Sequence, residues 1–352
     1  MMRVAKQKGA SCMTEKENAR KVFRGEIPDW LPCYTKCTAY LVSDYTEAEK
    51  PQFTEGYDWF GVHWLPVEAT ANLTHPDIHQ TPIVEDISRW REQLKFPNLD
   101  AVVDWRRVSE QLNAQCDAAG DEKLCVIMLE HGLFERLTLL MGFENALIAL
   151  YDDPEACQEY CAALADFKIR LIDKLLECCP RIDMFDWHDD LGSQSAALMS
   201  PDKWEEIFAR DTARVADHVR SRGKLFMYHS CGRIDQIMDR VIARVKPDGW
   251  NVLQACNDQE SIKKRFGQQV VLVCGLDTQN CIDIPNPTEE ELRREVNRTI
   301  DVFAPGGRFL AGMYLAGCFN GNGLDVNAII EDEVTRVGRD YYRKPEHCVY
   351  PA

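Results

Sequence analysis

The chain has 352 residues, 45% of them hydrophobic, and a formal net charge of -16, so it has apolar material for a large core and no basic block to hold a nucleic-acid backbone or an anionic membrane. Its 15 cysteines are scattered without the repeated spacing of a small secreted disulfide framework. MMRVAKQKGASC lacks the apolar region of a signal peptide, and no run of about eighteen apolar residues could span a bilayer; the expectation is a cytoplasmic protein in a reducing compartment, and so many thiols suit an anaerobic cell.

Residues 1–12 read as an extension ahead of MTEKENARKVFRGEIPDW, and 13–352 as one domain. DWLPCYT (29–35) is a candidate first strand. From about residue 40 to 113 no regular alternation holds; aromatic residues and the turn-rich HPDIHQTP mark this stretch as an excursion capping one end of the fold. Beyond it, short apolar runs predict buried strands: CVIMLE (125–130), IDMFDW (182–187), KLFMYH (224–229), GWNVLQA (249–255), QVVLVCGL (269–276) and RFLAGMY (308–314). Amphipathic stretches at 144–152, 154–178, 201–222, 233–245 and 288–304 predict the intervening helices. DDPEA, SPDKWEE and NPTEEEL place proline and acids at first helical turns. Such alternation favours a parallel α/β sheet. No GxGxxG follows an early strand, so the expected fold is a (β/α)8 TIM barrel with an N-terminal cap. Its active site would lie at the C-terminal strand ends.

One of those ends reads LFMYHSCGRIDQ (225–236). Side chains two apart on a strand share a face, so His229 and Cys231 would point the same way. Cys318, in MYLAGCFNGNG after the last strand, would reach the same rim. A His, Cys, Cys set suits Zn2+ with a fourth position open for water, substrate or a carboxylate. An isolated His-x-Cys is more often accidental; the strand-end placement before glycine is what separates this one from Cys157, Cys161, Cys178, Cys179, Cys256, Cys274 and Cys281, none of which has a histidine nearby.

MTEKENARKVFRGEIPDWLP, DDLGSQSAALMSPDKW, YHSCGRI and LAGC resemble the uroporphyrinogen decarboxylase superfamily, and specifically its zinc-dependent, corrinoid-linked methyltransferase branch, from about Met13 to the C-terminus. His229, Cys231 and Cys318 match that branch's zinc ligands. The arginine-rich N-terminal segment with which true decarboxylases grip porphyrin carboxylates has no counterpart, which disfavours that activity. The resemblance implies one of two methyl transfers. Either an O-methyl compound gives its methyl group to cob(I)alamin on a partner corrinoid protein, or a methylated cobamide gives it to a thiol of the coenzyme M type. A sulfonate thiol needs a cation in its pocket, whereas an aryl ether needs an apolar slot. Trp59, Phe60, Trp64, Trp187, Tyr314 and Phe319, with Gln194, read as such a slot and favour a methoxyaromatic substrate, although aromatics of this kind more often fill a core. A proton donor for the leaving group is sought among His188, Asp189 and Asp190 in WHDDLGSQ and Glu130 in MLEHG; the aspartates equally suit a turn or a helix cap. Tyr228 should face away from His229. A decarboxylase and a non-catalytic corrinoid-binding module are the weaker alternatives, and a homodimer is left open.

Overall fold

In a computed structural model, which describes residues 13–313 and 323–351, the helix starts form as their chemistry demands. Asp153 accepts from Ala156 N ahead of Pro154, and Ser200 accepts from Lys203 N ahead of Pro201. Thr288 and Glu291 make a reciprocal capping box. The helices that follow, Pro154–Cys178, Pro201–Ile207 running on into Ala209–Ser221, and Glu289–Phe303, coincide closely with the amphipathic stretches.

The strands are β1 (Thr38–Tyr40), a cap set β2 (Gly56–Tyr57), β3 (His63–Pro66) and β4 (Thr74–Pro76), then β5 (Leu124–Leu129), β6 (Met184–His188), β7 (Leu225–His229), β8 (Gly249–Asn251), β9 (Val271–Val273) and β10 (Phe309–Leu310). β1 and β5 to β10 form one parallel sheet in that order, and β2 to β4 a separate antiparallel one. A parallel bridge between Cys33 and Ala311 joins the end of β10 to the segment before β1; Tyr34 N donates to Ala311 O at 2.8 Å and Ala311 N to Pro32 O at 3.0 Å. The α/β barrel is therefore as expected, with seven strands in its sheet among the described residues. DWLPCYT supplies the closing bridge, and one helical turn, Tyr34–Cys37, separates it from β1.

The cap is shorter than the sequence suggests. Asp104 accepts from Arg106 N and Arg107 N and so starts the helix Trp105–Ala119, whose Val108, Leu112 and Cys116 are buried against the barrel. This stripe is only one residue wide and lies among polar neighbours, which masks its period. Two fully buried ion pairs tie cap to barrel: Asp58 with Arg136 and Glu49 with Lys168, each at 2.5 Å. Lys168 Nζ also donates to Glu130 O at 2.6 Å, and Glu130 N donates to Glu49 Oε2 at 3.3 Å. The cap thereby fixes the backbone at the end of β5.

Strand parity sorts the side chains. Asp186 of β6 accepts from Tyr40 of β1 and Asn251 of β8, neither of which neighbours β6, so Asp186 and His188 face the barrel interior. Trp187 and Tyr228, which pair in register with each other and with Trp250, face the helices; Tyr228 stacks on Trp250 at 4.9 Å. All thirteen cysteines of the described residues are free thiols, and no helix among those residues is long and apolar enough to cross a membrane.

Candidate metal centre at the barrel mouth

The strand register lines up four polar side chains in one row. His188 pairs with His229, and His229 with Asn251; Glu130, one residue beyond the Leu129–Trp187 pair, falls beside His188. The imidazoles of His188 and His229 stack with centroids 4.2 Å apart.

His229 is oriented from behind. Asn251 Nδ2 donates to Asp186 Oδ2 at 3.0 Å, which turns Asn251 Oδ1 toward His229 Nδ1 at 2.5 Å. The imidazole must then donate from Nδ1, leaving the Nε2 lone pair outward. Tyr40 completes the support, donating to the same Asp186 oxygen at 2.5 Å and accepting from Tyr34 at 2.9 Å. Outward, His229 Nε2 lies 3.3 Å from Cys231 Sγ and 3.6 Å from Asp190 Oδ1. Potential ligand atoms of His188, Asp190 and His229 all lie within 4.8 Å of one another.

β7 ends at His229, so Cys231 is placed by a loop rather than by strand parity. Its N–H donates to Asp190 Oδ1 at 2.6 Å. The next residue, Gly232, has a φ of +79°, and a Cβ there would collide with Gly192 O; only glycine lets the loops after β6 and β7 lie so close. Arg233 N to Ser193 O at 2.7 Å continues the contact.

The electrostatics suit a cation. Burial and the neighbouring His188 push His229 below the usual histidine range, so its nitrogen is available as a ligand. Burial, with Asp190 beside it, pushes the Cys231 thiol well up. Burial opposes the charge on Asp190, yet His188 and His229 hold it below the usual carboxylate range. Burial likewise opposes the charge on His188, but Glu135, 2.8 Å from Nδ1, holds that histidine well above its ordinary value.

Other expected site residues are placed elsewhere. Asp189 is buried beneath the helix Leu133–Met141, accepting from Glu135 N at 2.9 Å while its own N–H donates to His229 O at 3.2 Å. It alternates with His188 and Asp190 and is an anchor for that helix, not a group at the mouth; burial and Glu135 push its carboxyl up to about 7. Trp187 is on the outer face, against Phe226. Trp59 and Phe60 pack edge-on to Phe167 of the helix Pro154–Cys178, filling the gap under the cap. Trp64 stacks on His131 at 5.2 Å and donates to Asp58. Gln194 is exposed in the loop after β6. Glu130 is buried just beyond the end of β5. Cys318, Tyr314, Phe319 and residues 1–12 lie outside the described residues. Glu135, Asn251, Asp186 and Tyr40 are contributors that motif and spacing do not reveal. Polar Asp186 and Asn251 inside apolar strands, at inward parity, are the signal that could have found two of them.

Fold and donors together define an α/β barrel with nitrogen, sulfur and oxygen groups gathered at its C-terminal mouth. Residues 65–313, well over half the chain, match the family model described as Uroporphyrinogen decarboxylase (URO-D); the chain belongs to the uroporphyrinogen decarboxylase family. The matched span ends before Cys318. No curated protein sequence matches. Among solved structures the chain is similar to a methyltransferase from Methanosarcina mazei, with 15% identity and a TM-score of 0.64 over 95% of this chain and 100% of that one, a likeness of fold. A sugar phosphate isomerase/epimerase from Parabacteroides distasonis is more remote, with 10% identity and a TM-score of 0.35 over 67% of this chain and 77% of that one.

Proposed function

We propose that this protein is a zinc-dependent methyltransferase that takes the methyl group of an O-methyl compound, a methoxyaromatic, and gives it to cob(I)alamin carried by a corrinoid protein. Membership of the family and the barrel likeness support the class. The observation that carries the reading is His229 Nε2, held outward by Asn251 and facing Cys231 Sγ and Asp190 Oδ1. These donors fit zinc, with Cys318 as a further thiolate on the resemblance of its motif.

His229 and Cys231 would hold a zinc ion, which would supply a Lewis acid for an ether oxygen whose leaving group is otherwise poor. The chain's own groups do the rest. Asn251 and Asp186 fix the tautomer of His229. Asp190 holds the Cys231 backbone and presents its carboxylate to the donor set. His188, with Nδ1 engaged by Glu135, keeps a proton at Nε2 for the departing phenolate. The two stacked imidazoles place that proton beside the donor cluster.

The test is anaerobic visible spectroscopy of cob(I)alamin with the zinc-loaded protein and a panel of methoxyaromatics. Ether-dependent formation of methylcob(III)alamin, lost in Cys231→Ser, is the expected result. No reaction with any ether, but demethylation of methylcobalamin on adding a thiol, would replace this reading with the thiol methylase.

A further inference from the structure

A cavity of about 740 Å³ opens between the ends of β1 and β5 and the segment that follows β1, a size typical of small-molecule sites. Met128, Glu130 and Tyr40 line it on the barrel side, and Val42, Thr46 and Phe53 on the cap side. Val42 and Phe53 are 58% and 61% exposed, an apolar entrance that the packing of the fold does not require. Since adjacent strands are about 4.8 Å apart, Glu130 and His229 stand roughly 10 Å apart across His188, a span that an aromatic ring with substituents at opposite ends can bridge.

The polar groups of the wall define what such a ligand must bring. Among the described residues no Lys, Arg or His lines the cavity, while Glu47 and Glu130 do. The side-chain amides there are engaged: Gln52 donates to Lys50 O, Gln111 to Asp44, and Gln115 to Val42 O. The Tyr40 hydroxyl donates to Asp186. The wall thus offers an anion no cation, only neutral groups such as the unpaired Ser43 hydroxyl. Glu130 is the converse case. It is 7% exposed, its backbone is held by Glu49 and Lys168, and its carboxylate has no hydrogen-bond partner among the described residues. Its oxygens are not among the sealed, unpaired side-chain atoms of the described residues, so the carboxylate reaches the cavity it lines and can accept from a ligand N–H or O–H.

We propose that this cavity binds the methyl donor and restricts it to methoxyaromatics that carry a hydrogen-bond donor and no anionic group, with Glu130 receiving that donor. The inference rests on the methyl-transfer reading for the identity of the ligand, and on the cavity wall for its charge.

The test is calorimetric titration of the zinc-loaded full chain with three matched compounds, 4-methoxybenzylamine, 4-methoxybenzyl alcohol and 4-methoxybenzoate. The amine and the alcohol should bind at least tenfold more tightly than the benzoate. Glu130→Gln should weaken the amine at least tenfold and narrow that gap, and Val42→Trp at the entrance should weaken all three. Benzoate binding as tightly as the others, no binding of any, or affinities indifferent to both substitutions would overturn the proposal. Ether-dependent cobalamin methylation with an unchanged KM in Val42→Trp would also overturn it while sparing the methyl-transfer reading. The expected order of binding without methyl transfer from any ether would instead remove that reading and leave the cavity's selectivity standing.

Discussion

Asn251 Oδ1 lies 2.5 Å from His229 Nδ1, and the same side chain donates its amide to Asp186. The amide cannot turn without losing one of these bonds, so His229 has one tautomer and one direction. Asn251→Leu should weaken zinc binding by about 10–100-fold, the usual consequence of removing such a supporting contact, with little change in circular dichroism. Competition with a chromogenic chelator measures the affinity; an unchanged value would mean that His229 needs no such support.

Gly232→Ala tests the contact between the two loops. Its left-handed backbone alone costs a residue with a Cβ roughly 1–2 kcal/mol, and the added atom would meet Gly192 O. The loop must move, and Cys231 moves with it. Zinc content by mass spectrometry should fall below half an equivalent although the protein remains folded. A full equivalent would show that the loop tolerates the shift.

Asp189→Asn separates an anchor from a catalyst. The folded carboxyl, at about 7, stands above the ordinary carboxylate range near 4, so between those values the folded chain binds a proton that the unfolded chain has released. Stability from this group is therefore present at low pH and lost as pH rises from about 4 to about 7. Asparagine stays neutral and can still accept from Glu135 N. In zinc-free protein, urea denaturation should show the variant gaining on wild type across that same interval, by up to about 1.4 kcal/mol for each pH unit crossed, and levelling above it. A difference independent of pH would remove the buried carboxylate from the account.

The Glu49–Lys168 pair predicts a non-additive cycle. Glu49→Gln leaves a buried ammonium without its anion and should cost about 3–5 kcal/mol. Adding Lys168→Met removes the stranded charge and should recover much of that loss in the same denaturation assay. Equal, additive losses would argue that the two residues act separately.

Much of this architecture was legible in the chain. DDPEA, SPDKWEE and NPTEEEL announced their helices because a cap and a proline act within a few residues. KLFMYH announced a strand because an apolar run between such helices has few alternatives. His229, Cys231, His188 and Asp190 were legible as chemistry at strand ends. The helix Trp105–Ala119 was not, since its buried stripe holds only Val108, Leu112 and Cys116. Nor were the partners Asn251 and Glu135, because their meaning lies in register across strands and in distance through space. The aromatic residues misled in the commonest way: Trp187, Trp59 and Phe60 are large enough to be needed wherever layers meet, and parity alone could separate only Trp187 from the mouth.

The row Glu130, His188, His229 and Asn251 occupies four neighbouring strands at one level of the barrel. Each position is an address that a single codon can rewrite, while one inserted residue within a strand would turn its occupant to the opposite face. Chemistry in this barrel is thus free to diversify by exchange of side chains and closed to change by insertion within the strands. An engineer who wants another donor at the mouth should begin with Glu130→His and leave every strand length alone.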